Sequence, residues 1–306
     1  MKQRFWTGAA MVIILAPLYT LGGWFSTILV MAIAYIGTYE LINMYQTKNP
    51  IPKVCKFIIP VFSLLIVLVG GTETAYYLIY LLVLEFIGLL VLSIFAKNIT
   101  FKDCIFFMFA NIYSGITFAI IESLRNLDKL AFRADSSYYY VTNWFGSLNI
   151  KPVGFILFTF VLITAMATDI GAYSIGRKFG KHKLCPQISP KKTVEGAVGG
   201  AIIGSLMGTI YMTILNYVLE PSKALEIRMF NIENDALYIV TILVVAIIVS
   251  IASELGDLVA SKLKREYEIK DFGNILPGHG GILDRFDSTI LSGLVFFVIL
   301  IFVGAI

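Results

Sequence analysis

Charge is scarce in this chain. Asp, Glu, Lys and Arg make up 14% of its 306 residues and hydrophobic residues 58%, whereas soluble domains carry about 25% charged residues. That excludes an ordinary soluble domain. Cysteine is scarcer still: Cys55, Cys104 and Cys185 lie far apart, with no CxxC pair and no histidine at metal-ligand spacing. A disulfide framework and a cysteine-based metal site are therefore excluded, and the three read as reduced structural thiols. No internal repeat or low-complexity tract is evident. The opening "MKQRFWTGAAMVIILAPLYT" lacks a convincing A-x-A site after its apolar run, so it reads as a first retained helix rather than a cleaved signal peptide. The net charge of +4 is modest, and nothing in its distribution points to nucleic acid.

What is present is long apolar runs. Bounded by charges, Gly or Pro, they predict helices near 6–22, 24–44, 54–70, 74–95, 103–124, 153–177, 196–219, 236–260 and 286–306. The fold class is all-α, a polytopic integral membrane protein with about nine transmembrane helices. It is read as three regions: N-terminal helices over 1–72, middle helices with an outer loop over 73–152, and a C-terminal catalytic region over 153–306. Nine spans put 18 of the 24 Lys and Arg on one side of the bilayer, which makes that side cytoplasmic. The outer loop carries Tyr138, Tyr139, Tyr140 and Trp144, an interfacial aromatic belt. Gly196, Gly200, Gly204 and Gly208 recur every four residues along one helix face, a seam where a second helix approaches closely. Its partner, in this chain or in another copy, is open.

Against this background the polar residues inside apolar runs stand out. Asp169 lies eight residues before Arg177, about 12 Å into its span at 1.5 Å per residue. An acid there costs about 2.5–3.5 kcal/mol on insertion scales, so it should face protein or a wet cavity. Glu254 and Asp257 share a helix face with Ser261. Glu40 and Glu85 are read as structural. In "LPGHGGILDRFDS", Leu276 to Ser288, Asp284 and Asp287 are three apart, and at the start of a helix both offer oxygens to a hard cation such as Mg²⁺. Gly278, Gly280 and Gly281 precede them, as in loops whose backbone amides cradle an anion. Basic residues flank both regions: Lys262, Lys264, Arg265 and Lys270 in one, Arg177, Lys178, Lys191 and Lys192 beside Ser189 and Thr193 in the other. Acids with bases at one membrane face suit a metal and highly charged phosphates.

The run "SKLKREYEIKDFGNILPGHGGILDRFDS", Ser261 to Ser288, resembles the C-terminal signature of the phosphatidate cytidylyltransferases: S-x-x-K-R, then K-D, P-G-H-G-G and D-R-x-D. The resemblance extends more loosely to "TDIGAYSIGRKFGKHKLCPQISPKKTVEG" and to the multi-span layout, from about residue 150 onward. It implies transfer of CMP from CTP to phosphatidic acid, giving CDP-diacylglycerol and pyrophosphate, by a homodimer in the inner membrane with its site toward the cytoplasm. It implies Mg²⁺, with a monovalent cation such as K⁺ beside it, and metal ligands Asp257, Asp284 and Asp287. Catalytic roles fall to Asp169, Lys264, Arg265, Lys270, Asp271, His279 and Arg285, and phosphate binding to Lys178, Ser189, Lys191, Lys192, Thr193 and Ser261. His279 invites a role as general acid, but metal-bound pyrophosphate leaves without a proton, which favours a hydrogen-bonding or loop-shaping role. Two alternatives remain: a CTP-dependent lipid kinase, and a transporter using Asp169 as its coupling site.

Overall fold

The computed structural model describes residues 13, 16–71, 75–127, 152–219, 230, 232, 234–276, 278 and 280–304. The aromatic loop with Tyr138 to Trp144, most of the expected first span, and His279 lie outside the described residues. Eight α-helices follow in order: α1 Gly23–Tyr45, α2 Cys55–Gly70, α3 Leu78–Phe95, α4 Phe101–Arg125, α5 Pro152–Phe179, α6 Val194–Leu219, α7 Asp235–Glu266 and α8 Leu283–Phe302. All but α2 are long and apolar enough to cross a membrane, so the described residues contain seven such helices. The chain is a multi-pass membrane protein. The expected count of nine rested on two further spans: α2, which has 16 residues, and the run near 6–22. At 1.5 Å per residue, α2 falls short of the ~30 Å hydrocarbon core.

The segment expected as a plain connection before α6 is instead a short antiparallel hairpin, β1 Lys183–Cys185 paired with β2 Ser189–Thr193. β2 runs directly into α6, and the Thr193 hydroxyl accepts the Gly196 amide at 3.1 Å, satisfying one of the donors a helix start leaves open. The cysteines are free thiols, Cys55 and Cys104 buried.

Backbone contacts group the chain into two units, Met1–Asn126 with Leu263–Phe286, and Leu127–Lys262 with Asp287–Ile306; the division falls inside α7 and α8. In the first unit α1 packs on α2, and α4 is interrupted by a π-turn at Asn111–Ile116. α3 is mostly uncovered by protein, as a lipid-facing helix should be, yet its one acid, Glu85, is 1% exposed and accepts a hydrogen bond from Asn111 Nδ2 at 2.6 Å. Thus the widened turn supplies a partner to a carboxylate that lipid could not solvate.

In the second unit the glycine seam finds its partner within the same chain. A Cβ at Gly196 would come within 2.8 Å of the Ala172 carbonyl, and one at Gly200 within 2.8 Å of the Thr168 carbonyl, so α6 lies backbone-close against α5. Small residues are what permit that approach between membrane helices.

Candidate active site

The first unit builds its site around the start of α8. Asp284 and Lys264 are both 8% exposed, and Lys264 Nζ donates to Asp284 Oδ1 at 2.7 Å. Asp284 Oδ2 accepts the backbone amides of Phe272 at 2.8 Å and Gly281 at 3.0 Å. A buried carboxylate with a cation and two amides is fully compensated for leaving water. Lys264 also lies 5.0 Å from the centre of the Phe272 ring. Asp271 is exposed beside Gly280, whose added Cβ would come 3.3 Å from Asp271 Cβ. Arg265, Lys270 and Arg285 are exposed, and Arg265 reaches the Ile269 carbonyl at 3.3 Å.

Of the loop glycines whose spacing suggests an anion cradle, Gly281 has its amide taken by the protein itself. Gly278 and Gly280 have φ of 77° and 83°, a region that favours glycine. The Gly281 amide is taken by Asp284, and those of Ile282 and Leu283 by Glu40 of α1, at 2.9 and 3.0 Å. The protein's own carboxylates therefore occupy these three donors. Glu40, read from the sequence as structural, is only 1% exposed and belongs to this site. No sequence signal pairs it with a loop more than two hundred residues away.

The second unit holds a more open polar cluster. Lys192 Nζ lies 2.8 Å from Asp257 Oδ2, with side chains 25% and 27% exposed, and Ser261 Oγ donates to Asp257 Oδ1 at 3.2 Å, as their four-residue spacing predicts. Ser288 Oγ donates to Asp169 Oδ2 at 2.9 Å, and the Ser288 amide to Asp287 Oδ1, also at 2.9 Å. Asp169 is exposed at the protein surface. Asp169, Glu254 and Asp257 lie within electrostatic reach of Lys192 and of one another. Glu254 Oε1 is buried and accepts no hydrogen bond. Gly256 permits the close packing of α7 on α8 here, since a Cβ would fall 2.6 Å from the Asp287 carbonyl.

Among the expected phosphate binders, Lys191 and Lys178 are exposed, Ser189 is half-buried on β2, and Thr193 is buried with its hydroxyl committed to α6. His182, on which the sequence reading placed nothing, has its Nδ1 2.6 Å from Glu195 Oε1, and that carboxylate also accepts the amides of Lys181 and His182. This clamps the turn into the hairpin that carries Lys191 and Lys192. Among the described residues no three His, Cys, Asp or Glu side chains stand arranged to hold a metal ion.

Acids, ammonium groups and hydroxyls concentrated near helix ends in a multi-pass protein suit charged phosphate substrates. Against known families, residues 2–303 match the model described as the cytidylyltransferase family. The chain belongs to that family. It is a nucleotidyltransferase by kinship, and its relatives carry a common name. A protein of Staphylococcus saprophyticus named phosphatidate cytidylyltransferase is 34% identical over 294 residues, covering 94% of each chain. Proteins of the same name from Staphylococcus haemolyticus and Bacillus subtilis are 33% and 32% identical, covering 94% of this chain in each case. This cytidylyltransferase-family chain thus matches such relatives nearly end to end, including the first 150 residues, where the sequence alone offered only hydropathy.

Proposed function

We propose that this chain transfers the cytidylyl group of CTP to phosphatidic acid, giving CDP-diacylglycerol and pyrophosphate. The observation that carries the reading is the near full-length match to relatives of that name. In this reaction a phosphate oxygen of phosphatidate attacks the α-phosphorus of CTP. A new P–O bond forms, the bond from the α-phosphorus to the bridging oxygen breaks, and pyrophosphate leaves with that electron pair. The nucleophile is already an anion and needs no base. The barrier lies in bringing two polyanions together, which positioning and positive charge lower.

We assign Lys178, Lys191 and Lys192, with Ser189 and Ser261, and Arg265, Lys270 and Arg285 to contacts with the substrate phosphates, and Lys264 to holding Asp284. Thr193 supports them by fixing the start of α6. By the resemblance to the phosphatidate cytidylyltransferases, Mg²⁺ is assigned to Asp257, Asp284 and Asp287, with a monovalent cation such as K⁺ beside it, although among the described residues no three such side chains stand arranged around one metal position. The donor set suits a hard cation, since all three offer carboxylate oxygens. One feature supports a cation near Asp257: Glu254 Oε1 is buried without a donor, while the Lys192 ammonium 2.8 Å from Asp257 Oδ2 would have to give way to it. Glu254 therefore joins the candidate ligands. When bound, the metal supplies charge stabilisation on the transferring phosphate. Asp169, which holds Ser288, orients the wall of the same cluster. Asp271 is kept as a loop residue of the first unit's site, and His279 lies outside the described residues.

We further place the protein in the inner membrane as a homodimer with its site toward the cytoplasm, supported by the bias of Lys and Arg to that side. The experiment is direct: purified protein, phosphatidic acid, Mg²⁺ and CTP labelled at either the α- or the γ-phosphate. α-Label in the lipid, with equal release of pyrophosphate, is the expected result. γ-Label in the lipid would identify a lipid kinase instead, and no labelled lipid at all would overturn the enzymatic reading.

A further inference from the structure

We propose that Glu40 is a positioning residue for the reaction, an anionic cap imported from α1 that fixes the start of α8 and so lets Asp284 turn to Lys264 and the loop. The proposal rests on the reading above that Asp284 acts in catalysis.

Glu40 sits near the end of α1 and is 1% exposed, among apolar neighbours. Burying a carboxylate there is unfavourable unless strong donors meet it. Its donors are the amides of Ile282 and Leu283, one to each oxygen, at 2.9 and 3.0 Å. These belong to the residue just before α8 and to its first residue, where backbone donors lack intrahelical partners and the helix dipole favours negative charge. A helix usually meets this need with a Ser, Thr, Asp or Asn immediately before its first residue. Here that position is Ile282, whose side chain has no oxygen to offer.

Asp284, the acid nearest by sequence, is turned elsewhere. Its Oδ2 reaches back to the amides of Gly281 and Phe272, and its Oδ1 meets Lys264. Two carboxylates therefore divide one helix start between them: the remote one caps it, and the local one ties the loop to Lys264. The loop's glycines are shaped to this arrangement. A Cβ at Gly273 would fall 2.5 Å from Glu40 Oε1, and one at Gly281 2.5 Å from both Glu40 oxygens. Side chains at either position would evict the carboxylate. A spacer with no electrostatic duty would call for neither the two paired oxygens nor the two bare positions.

The test compares wild type, Glu40→Gln and Asp284→Asn in detergent, reading product formation and amide hydrogen exchange over residues 280–288. Glutamine keeps the shape but presents an NH₂ to one of the two amides. Glu40→Gln should retain the wild-type elution profile while exchange at Ile282 and Leu283 quickens about ten-fold, as expected for losing a charge-assisted hydrogen bond. Its kcat should fall about 10- to 100-fold, the usual effect of removing a residue that orients a site, with KM for CTP and phosphatidate little changed. Wild-type kcat in Glu40→Gln, or a fall in kcat with unchanged exchange at Ile282 and Leu283, would overturn the proposal. If Glu40→Gln does not fold, exchange on the wild-type protein decides: Ile282 and Leu283 must be the slowest amides of the loop-to-helix junction, and fast exchange there refutes the cap. Activity surviving in Asp284→Asn would sink the catalytic assignment of Asp284 while leaving the exchange result for Glu40 standing.

Discussion

Among the described residues each unit contains one lysine–aspartate pair of nearly the same length, and the two pairs live in opposite surroundings. Lys264 and Asp284 in the first unit have side chains 10% and 3% exposed, and two amides fix the aspartate as well. Lys192 and Asp257 in the second unit are 25% and 27% exposed, and Asp257 is supported further by a 3.2 Å bond from the Ser261 hydroxyl. Distance alone does not separate them; burial and the number of donors do. A buried, amply bonded pair resists exchange of partners because either charge left alone is strongly destabilising. A half-exposed pair releases its ammonium at little cost, so it suits a place where a cation or a phosphate must come and go.

The sharpest way to break this comparison is to remove one partner from each pair. Asp284→Asn should abolish product formation and, by stranding Lys264, lower stability by about 3–5 kcal/mol. Asp257→Asn should reduce turnover about 100-fold, as loss of a site ligand does, while thermal unfolding of the detergent-extracted protein shifts little. Equal losses of stability in the two variants would erase the distinction drawn from burial. The lysines sharpen it further: Lys264→Met should cost several-fold more stability than Lys192→Met, whose pair is worth about 0–1 kcal/mol, even though both should impair activity.

Smaller effects test the scaffold. Gly200→Ala would place a Cβ 2.8 Å from the Thr168 carbonyl and 2.6 Å from Glu254 Oε1. Such overpacking of the α5–α6 seam should destabilise by about 1–3 kcal/mol, measurable as earlier thermal aggregation. The smallest effect belongs to Lys48 and Glu268, 2.7 Å apart on the surface. Lys48 holds the Glu268 carboxyl below its ordinary range. A carboxyl with a lowered folded value contributes above the ordinary carboxylate range and loses that contribution as pH falls through the folded value. That contribution is present at neutral pH, but with both side chains exposed it is weak, so Lys48→Ala should leave unfolding at neutral pH almost unchanged, and a large shift would mean this bridge is more than surface decoration.

Much of the architecture is legible from residue order, and the exceptions are instructive. Helices α3 to α8 begin and end within a few residues of the boundaries that apolar runs and flanking charges predict, except that α7 continues to Glu266. There "ASKLKRE" is polar but made of good helix formers, so hydropathy ends before the helix does. The hairpin at 183–193 escaped because its strands are three and five residues long and rich in lysine. Asp169, Asp257, Asp284 and Asp287 and the basic residues beside them were conspicuous because charge in apolar surroundings is expensive. Glu40 was equally expensive, but its partners are backbone amides, which leave no mark in a sequence.

Residue order alone determined that this chain spans a membrane many times, that its polar chemistry gathers toward its second half, and, through one near-continuous signature, the family to which it belongs. These follow from local rules: the energy of transferring each side chain into lipid, and the spacing of charged groups along a helix. Tertiary structure alone decided which donors answer each acid. It gave the start of α8 to Glu40, tied Asp284 to Lys264, and left Glu254 Oε1 bare. Hydrogen bonds between segments distant in sequence depend on how helices pack, and packing is a property of the whole chain rather than of any stretch within it.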